Sequence, residues 1–78
     1  MIEQVVRVVS EVMGVPSSLV SGKTSARDLA EWDSLRHMNL IVAIEDRFSI
    51  TLDESRFAEL DSVEAIAKEL ERAGARAA

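Results

Sequence analysis

The chain has 78 residues, of which 47% are hydrophobic, with one His, no Cys and a formal net charge of −5. A chain of this length forms one small domain and has little room to enclose a substrate cleft as well as a core. A non-catalytic binding or carrier role is therefore favoured over an autonomous enzyme. The absence of Cys excludes a disulfide scaffold, a Cys-ligated metal site and a thiol nucleophile, and a single His disfavours zinc, so we expect no catalytic and no metal-ligating residues.

The charge and hydropathy patterns limit the partners. The nine basic residues are scattered along the chain and form no basic stripe, which argues against nucleic acid and leaves the net negative charge to favour a basic protein partner. Residues 1–20 lack the basic start and apolar run of a signal peptide. No apolar run approaches the ~20 residues of a membrane span. We expect a cytoplasmic protein without a membrane partner.

The first predicted helix covers residues 1–13 and is followed by a long loop. Its apolar face consists of Ile2, Val5, Val6, Val9, Val12 and Met13. Gly14 and then Pro16 end the helix. The polar segment at 15–33 is predicted to be an ordered loop with short helical turns at 17–20 and 26–30. Its apolar anchors are Val15, Leu19, Val20, Leu29 and Trp32.

The second predicted helix, at 34–48, carries two apolar stripes. The first, on the same face as His37, consists of Leu40, Ile41, Ile44 and Phe48, and is the expected core stripe. The second consists of Leu35, Met38 and Val42. One buried stripe is sufficient for a helix in a small bundle, so the second is either a partner surface or a further buried face. The pattern leaves both alternatives open.

The rest of the chain predicts a short helix and a last long helix. The short helix spans Asp53 to Leu60 and is anchored by Phe57 and Leu60. A capping box at 61–64 then begins the last helix, which ends near Gly74. Its inward-facing residues are Val63, Ile66, Ala67 and Leu70. We therefore predict an all-α four-helix bundle, three main helices plus the short third helix, in a single domain at 1–74 with a frayed tail at 75–78.

Ser34 lies where the long loop meets the second helix. The first N–H groups of a helix have no intrahelical partner and lie at the positive end of its dipole, so a phosphate attached to Ser34 would be stabilised there. Alternatively, Ser34 or Asp33 is only an N-cap, worth about 1 kcal/mol. A hydrolase that uses Asp33, Ser34 and His37 is a third hypothesis. It is disfavoured because a nucleophile and its base need a pocket with oxyanion donors around them.

The segment at 31–50, with Thr51-Leu-Asp53 and the segment at 59–66, resembles the acyl carrier protein family. The similarity is detailed from Asp33 to Leu70 and extends to the layout of the whole chain. The resemblance implies that Ser34 receives a 4′-phosphopantetheine arm from coenzyme A through a phosphopantetheinyl transferase. Asp33 and Leu35 match the flanking residues that the transferase reads. The arm would supply the thiol that this Cys-free chain lacks, for carrying acyl thioesters.

The second helix matches the recognition helix of the family. The residues implied to contact partner enzymes are Leu35, Arg36, Met38, Asn39, Val42, Glu45 and Asp46. Carriers of primary fatty acid synthesis have carboxylates at the positions of Arg36, Asn39 and Arg47. Here the two Arg and two acidic residues of the segment at 34–52 cancel, so it is neutral. This departure implies different partners.

From this departure we expect a specialised, free-standing carrier in polyketide or mixed polyketide–peptide biosynthesis, and the mobile arm that the resemblance implies favours a monomer. Its partners would be the transferase, an acyl-loading enzyme (a ligase or acyltransferase) and downstream synthase or modifying enzymes. Peptidyl carriers usually have Gly-Gly-His-Ser before the helix, and the segment at 31–34 lacks it. An aminoacyl or peptidyl carrier remains an alternative. So does an unmodified helical adaptor that binds a partner through Leu35, Met38 and Val42.

Overall fold

A computed structural model describes residues 1–74, and the predicted frayed tail at 75–78 lies outside them. The described chain forms three α-helices, α1 (Ile2–Met13), α2 (Ser34–Phe48) and α3 (Val63–Arg72), with 3₁₀-helices at Ser17–Leu19 and Glu54–Glu59. Within residues 1–74 there is no strand, only an isolated bridge between Ser25 and Ser62. The all-α prediction is confirmed, with the short third helix in 3₁₀ form. No helix in this part of the chain is long and apolar enough to cross a membrane.

The core is formed by one apolar face from each α-helix. In α2 and α3 it contains the residues that the periodicity predicts, including Leu40, Ile44 and Ile66. In α1, Val5, Val9 and Met13 are buried as predicted, and the buried face differs from the predicted one at two positions. Val8 is buried, whereas Ile2 is exposed. The valines of α1 share one broad side of the helix, and Val6 and Val12, which are only partly buried, also pack against the core.

The long loop is held against the bundle by backbone hydrogen bonds and buried side chains. The Ala26 N–H donates to the Asp61 carbonyl at 2.8 Å, and the Val63 N–H donates to the Thr24 carbonyl at 3.0 Å. Val20, Leu29 and Trp32 are buried as predicted, but Leu19 is 62% exposed and is no anchor. The predicted turn at 17–20 is the first 3₁₀-helix. Residues 26–28 form a hydrogen-bonded turn instead of the predicted helical turn.

The start of α3 lies one residue later than the predicted capping box. Ser62, not Asp61, is the N-cap, and its Oγ accepts a hydrogen bond from the Ala65 N–H at 3.0 Å. The predicted pairing of Asp61 with the 64 position is therefore wrong. The physical reason is the bridge to the long loop, because the Asp61 carbonyl accepts the Ala26 N–H and the chain is still extended at Ser62.

A buried carboxylate fixes the second 3₁₀-helix to α3. Glu69 is only 6% exposed and receives Arg56 Nε at 3.0 Å and Arg72 Nη2 at 2.7 Å. The hydrogen bond from Arg72 is the main reason why the pKa of the Glu69 carboxyl lies below its ordinary value, although burial opposes this effect. The Arg56–Glu69 pair links the segment at 54–59 to α3, and the Phe57 carbonyl of this segment lies 2.8 Å from His37 Nε2 of α2.

The lowered pKa of Glu69 predicts a loss of stability in acid. A carboxyl whose folded-state pKa is depressed stabilises the fold above its unfolded-state pKa and loses that contribution as the pH falls through the folded value. We expect Glu69→Gln to lower the free energy of unfolding at neutral pH by about 1–3 kcal/mol, because the two Arg lose their ionic partner. We also expect it to flatten the decline of stability in acid.

Urea unfolding at neutral and acidic pH checks this expectation. The matched control is Glu64→Gln on the same helix, since Glu64 is exposed and pairs only loosely with Lys68 at 3.8 Å. Some acid dependence should persist in both variants, because hydrogen bonds from Ser55 also lower the pKa of Asp53. Equal acid dependence in wild type and Glu69→Gln would contradict the assigned role.

Candidate functional site

Ser34 is the first residue of α2, and its side chain is exposed. The helix is capped by the preceding residue. Asp33 has an extended backbone, and its Oδ1 accepts the Arg36 N–H at 2.9 Å. Of the two N-cap residues that the sequence left open, Asp33 has this role. Ser34 therefore presents its hydroxyl to solvent at the head of a fifteen-residue helix.

The position of Ser34 suits an attached anion. The N–H groups of the first helical turn have no intrahelical acceptor, and the peptide dipoles of α2 add to a partial positive charge at this end. Asp33 uses one of these donors, that of Arg36. A phosphodiester on the Ser34 Oγ would lie close to the remaining N–H groups of the first turn. Such a site stabilises negative charge without any basic side chain.

An open groove of about 410 Å³ begins at Ser34. One wall comes from the loop and the start of α2, and the other from the second 3₁₀-helix and Asp61. The lining residues are Ala26, Trp32, Asp33, Ser34, His37, Met38, Phe57, Ala58 and Asp61. The short length of the chain argues against an enclosed substrate cleft, but it does not argue against an open groove such as this one. A groove open to solvent requires no residues to cover it.

His37 joins the two walls of the groove. Its Nδ1 accepts a hydrogen bond from the Trp32 indole N–H at 3.0 Å, and its Nε2 lies 2.8 Å from the Phe57 carbonyl oxygen. An indole N–H can only donate and a carbonyl can only accept, so His37 is the neutral tautomer with its proton on Nε2. Both ring nitrogens are engaged within the fold. His37 is therefore not placed as a general base for Ser34, which removes the geometric basis of the hydrolase hypothesis.

The second apolar stripe of α2 is open to solvent. Leu35, Met38 and Val42 are 72%, 46% and 61% exposed, respectively. The alternative that the bundle buries both stripes is therefore wrong. The stripe begins next to Ser34, and Met38 belongs both to it and to the lining of the groove. A protein docked on this face of α2 would lie against the Ser34 hydroxyl.

The other residues that the resemblance implied as partner contacts fall into two groups. Asn39 and Asp46 are exposed on α2. Arg36 and Glu45 are half-buried and have partners within the chain. Arg36 Nη1 donates to the Met13 carbonyl at 2.7 Å, at the end of α1, and Glu45 Oε2 accepts the Leu52 N–H at 2.8 Å.

These two tertiary contacts, and the bridge through His37, are the site features that sequence reasoning missed. Arg36 and His37 each bond to residues twenty or more positions away. No local spacing encodes such pairs. The one available signal was Glu45, whose position on the edge between the two stripes placed it close to the core.

Comparison with known protein families decides what kind of site this is. A family model described as a phosphopantetheine attachment site matches residues 3–70. The chain belongs to this family. The match covers most of the described fold, and it agrees with the resemblance that the residues around Asp33 indicated. No curated protein matches the chain.

The phosphopantetheine-binding domain is the attachment site for a covalent 4′-phosphopantetheine. Domains of this family are generally non-catalytic and are modified by transferases. The residues around the head of α2 fit the group, because an exposed hydroxyl lies at a helix N-terminus and beside an open groove. When bound, the group supplies a thiol for thioester formation, and this chain has no Cys of its own.

Proposed function

We propose that this phosphopantetheine-binding domain is an acyl carrier that holds acyl groups as thioesters on an arm attached to Ser34. The observation that carries the proposal is the exposed Ser34 hydroxyl at the head of α2, between the open groove and the exposed apolar stripe. Asp33 and Leu35 flank it, and we propose that the transferase reads them. We further propose a single carrier domain over residues 1–74, acting as a monomer in the cytoplasm.

The modification that we propose is a phosphoryl transfer to one hydroxyl. The Ser34 Oγ–P bond forms while the phosphoanhydride bond of coenzyme A breaks, and adenosine 3′,5′-bisphosphate leaves. The transferase takes up the hydroxyl proton. Asp33, as the cap, fixes the start of α2 so that the hydroxyl meets the transferase in a defined orientation.

Labelling with a fluorescent coenzyme A analogue and a broad-specificity transferase tests the proposal. Wild type should become fluorescent in a denaturing gel, and Ser34→Ala should not. The matched control is Ser18→Ala, since Ser18 is also exposed but lies in the first 3₁₀-helix. Labelling of Ser34→Ala to the extent of wild type would show that another residue is modified.

We propose that α2 is the surface for partner enzymes, with Leu35, Met38 and Val42 as apolar contacts and Asn39 and Asp46 beside them. Exposed apolar side chains on one helix face are typical of a docking surface. The alternative function, an unmodified helical adaptor, would bind its partner through the same stripe, with no group attached to Ser34. It predicts that Met38→Ala abolishes partner binding while Ser34→Ala has no effect on any partner reaction. An acyl carrier predicts that both variants impair transfer of the acyl group.

We infer that the pathway differs from primary fatty acid synthesis and is polyketide or mixed polyketide–peptide biosynthesis. The support is the balance of charge on the segment at 34–52, where two Arg cancel two carboxylates. Three of these charges also have partners within the chain. Arg47 pairs with Glu11 at 3.0 Å, Glu45 accepts a backbone N–H, and Arg36 donates to a backbone carbonyl. Little net field remains to steer a basic enzyme towards α2. The loading enzyme would then be a ligase or acyltransferase specific to this carrier.

Adding carboxylates to α2 tests this inference. We expect Asn39→Glu combined with Arg47→Glu to raise kcat/KM with a basic fatty acid synthase enzyme by about tenfold at low salt, through electrostatic steering. The gain should disappear at high salt. The control is Ser18→Glu with Lys23→Glu, which adds the same charge outside α2. An equal gain from the control would show that the total charge, not the charge of α2, matters.

A further inference from the structure

The inner end of the groove beside Ser34 is closed by a hydrogen-bonded bridge. The bridge runs from the Trp32 indole through the His37 ring to the Phe57 carbonyl, with hydrogen bonds of 3.0 and 2.8 Å. The two ring planes lie within 25° of each other, and the ring centroids are 6.3 Å apart. Trp32 comes from the long loop and Phe57 from the second 3₁₀-helix. The bridge therefore links both sides of the groove.

The bridge lies between the groove and the core. His37 is on the core face of α2, and the next residues on that face are Leu40, Ile41 and Ile44. These three are at most 1% exposed, as are Ile66 and Leu70 of α3. A chain of methylene groups could pass from the groove into this close-packed interior only by displacing side chains. It would also leave the indole N–H and the Phe57 carbonyl without partners in a partly buried place.

We propose that the Trp32–His37–Phe57 bridge keeps the acyl group out of the core and makes this carrier suited to short acyl groups. This inference rests on the proposed attachment of the arm to Ser34. His37 is then a positioning residue that limits how far the acyl group extends from the groove towards the core. A short acyl group lies within the open groove against the apolar side chains of Trp32, Met38 and Phe57. The far end of a long acyl chain stays in water.

A series of acyl forms tests the proposal. Butyryl, octanoyl and palmitoyl forms are made with a broad-specificity transferase and the matching acyl-coenzyme A, and intact mass confirms each product. For wild type we expect equal melting temperatures for the octanoyl and palmitoyl forms, because the added methylenes are not withdrawn from water. Hydroxylamine should cleave the two thioesters at the same rate. If the core accepted the chain, palmitoyl would raise the melting temperature by about 4 °C or more.

Two variants open the bridge. His37→Ala removes both hydrogen bonds, and we expect its melting temperature to rise from octanoyl to palmitoyl, because the chain can now enter between α2 and the second 3₁₀-helix. Trp32→Phe keeps an aromatic ring but removes the indole N–H, and should show a smaller rise. The matched control is Gln4→Ala, a half-buried polar residue of α1 that does not line the groove. It should behave as wild type.

The outcomes separate the two proposals. No mass gain from any acyl-coenzyme A would refute the attachment to Ser34 and, with it, the bridge proposal. A normal mass gain with a wild-type melting temperature that rises, or a hydroxylamine rate that falls, from octanoyl to palmitoyl would overturn the bridge proposal alone. If His37→Ala does not fold, the wild-type series and Trp32→Phe still decide the question.

Discussion

Replacing Ile44 with Ala should remove much of the stability of this domain. Ile44 is fully buried at the centre of the core stripe of α2. Truncation of such a side chain loses its transfer free energy and leaves a cavity, which together cost about 2–5 kcal/mol. The free energy of unfolding of a small domain is only about 5–15 kcal/mol, and a chain this short should lie at the low end. We therefore expect a partly unfolded population under native conditions.

The comparison with Val42→Ala makes this prediction specific. Val42 lies two residues earlier on α2 and is 61% exposed, so its truncation should change the free energy of unfolding by no more than about 0.5 kcal/mol. Urea unfolding followed by Trp32 fluorescence measures both values. Similar losses in the two variants would mean that both stripes of α2 are buried, which would contradict the 61% exposure of Val42.

Substitutions in the exposed stripe of α2 should slow the reaction with the transferase, although they have little effect on stability. Leu35→Ala and Met38→Ala should each lower kcat/KM for modification by about tenfold, the effect of losing an apolar contact worth 1–2 kcal/mol at an interface. Both side chains are exposed; Leu35 directly follows Ser34 in α2, and Met38 lines the same groove as Ser34. Their removal should leave the stability of the free carrier nearly unchanged.

Leu19→Ala is the matched control for this surface. Leu19 is 62% exposed, like the residues of the stripe, but belongs to the first 3₁₀-helix. Its removal should leave kcat/KM unchanged. If Leu19→Ala lowered kcat/KM as much as Leu35→Ala, the transferase contact would include the loop, and α2 would not be the principal docking surface.

The sequence predicted α2 and its two faces well, because the helical period alone places Leu40 and Ile44 opposite Val42. The sequence also predicted that Ser34 lies at the N-terminus of α2, because the apolar pattern places the start of the helix near Asp33. The partner of Arg36 could not be predicted. Its bond to the Met13 carbonyl depends on how α1 and α2 cross, and that geometry is set by the whole core.

The misplaced start of α3 and the partners of His37 have the same origin. The start of α3 was misplaced by one residue, because the backbone of Asp61 is held by Ala26 of the distant loop. The hydrogen-bond partners of His37 could not be predicted either, because they come from the loop and the second 3₁₀-helix. Local patterns determine where helices form. Contacts between segments far apart in the chain determine the groove beside Ser34.

The most direct test of the central claim is the mass of the protein after co-expression with a broad-specificity phosphopantetheinyl transferase. Intact wild-type protein should gain the mass of one phosphopantetheine group, and fragmentation should locate it on Ser34. Ser34→Ala should gain nothing under the same conditions, while Ser18→Ala gains the full group. An unmodified wild type beside a fully modified control carrier, or a group located on another residue, would contradict the assignment of Ser34 as the attachment site.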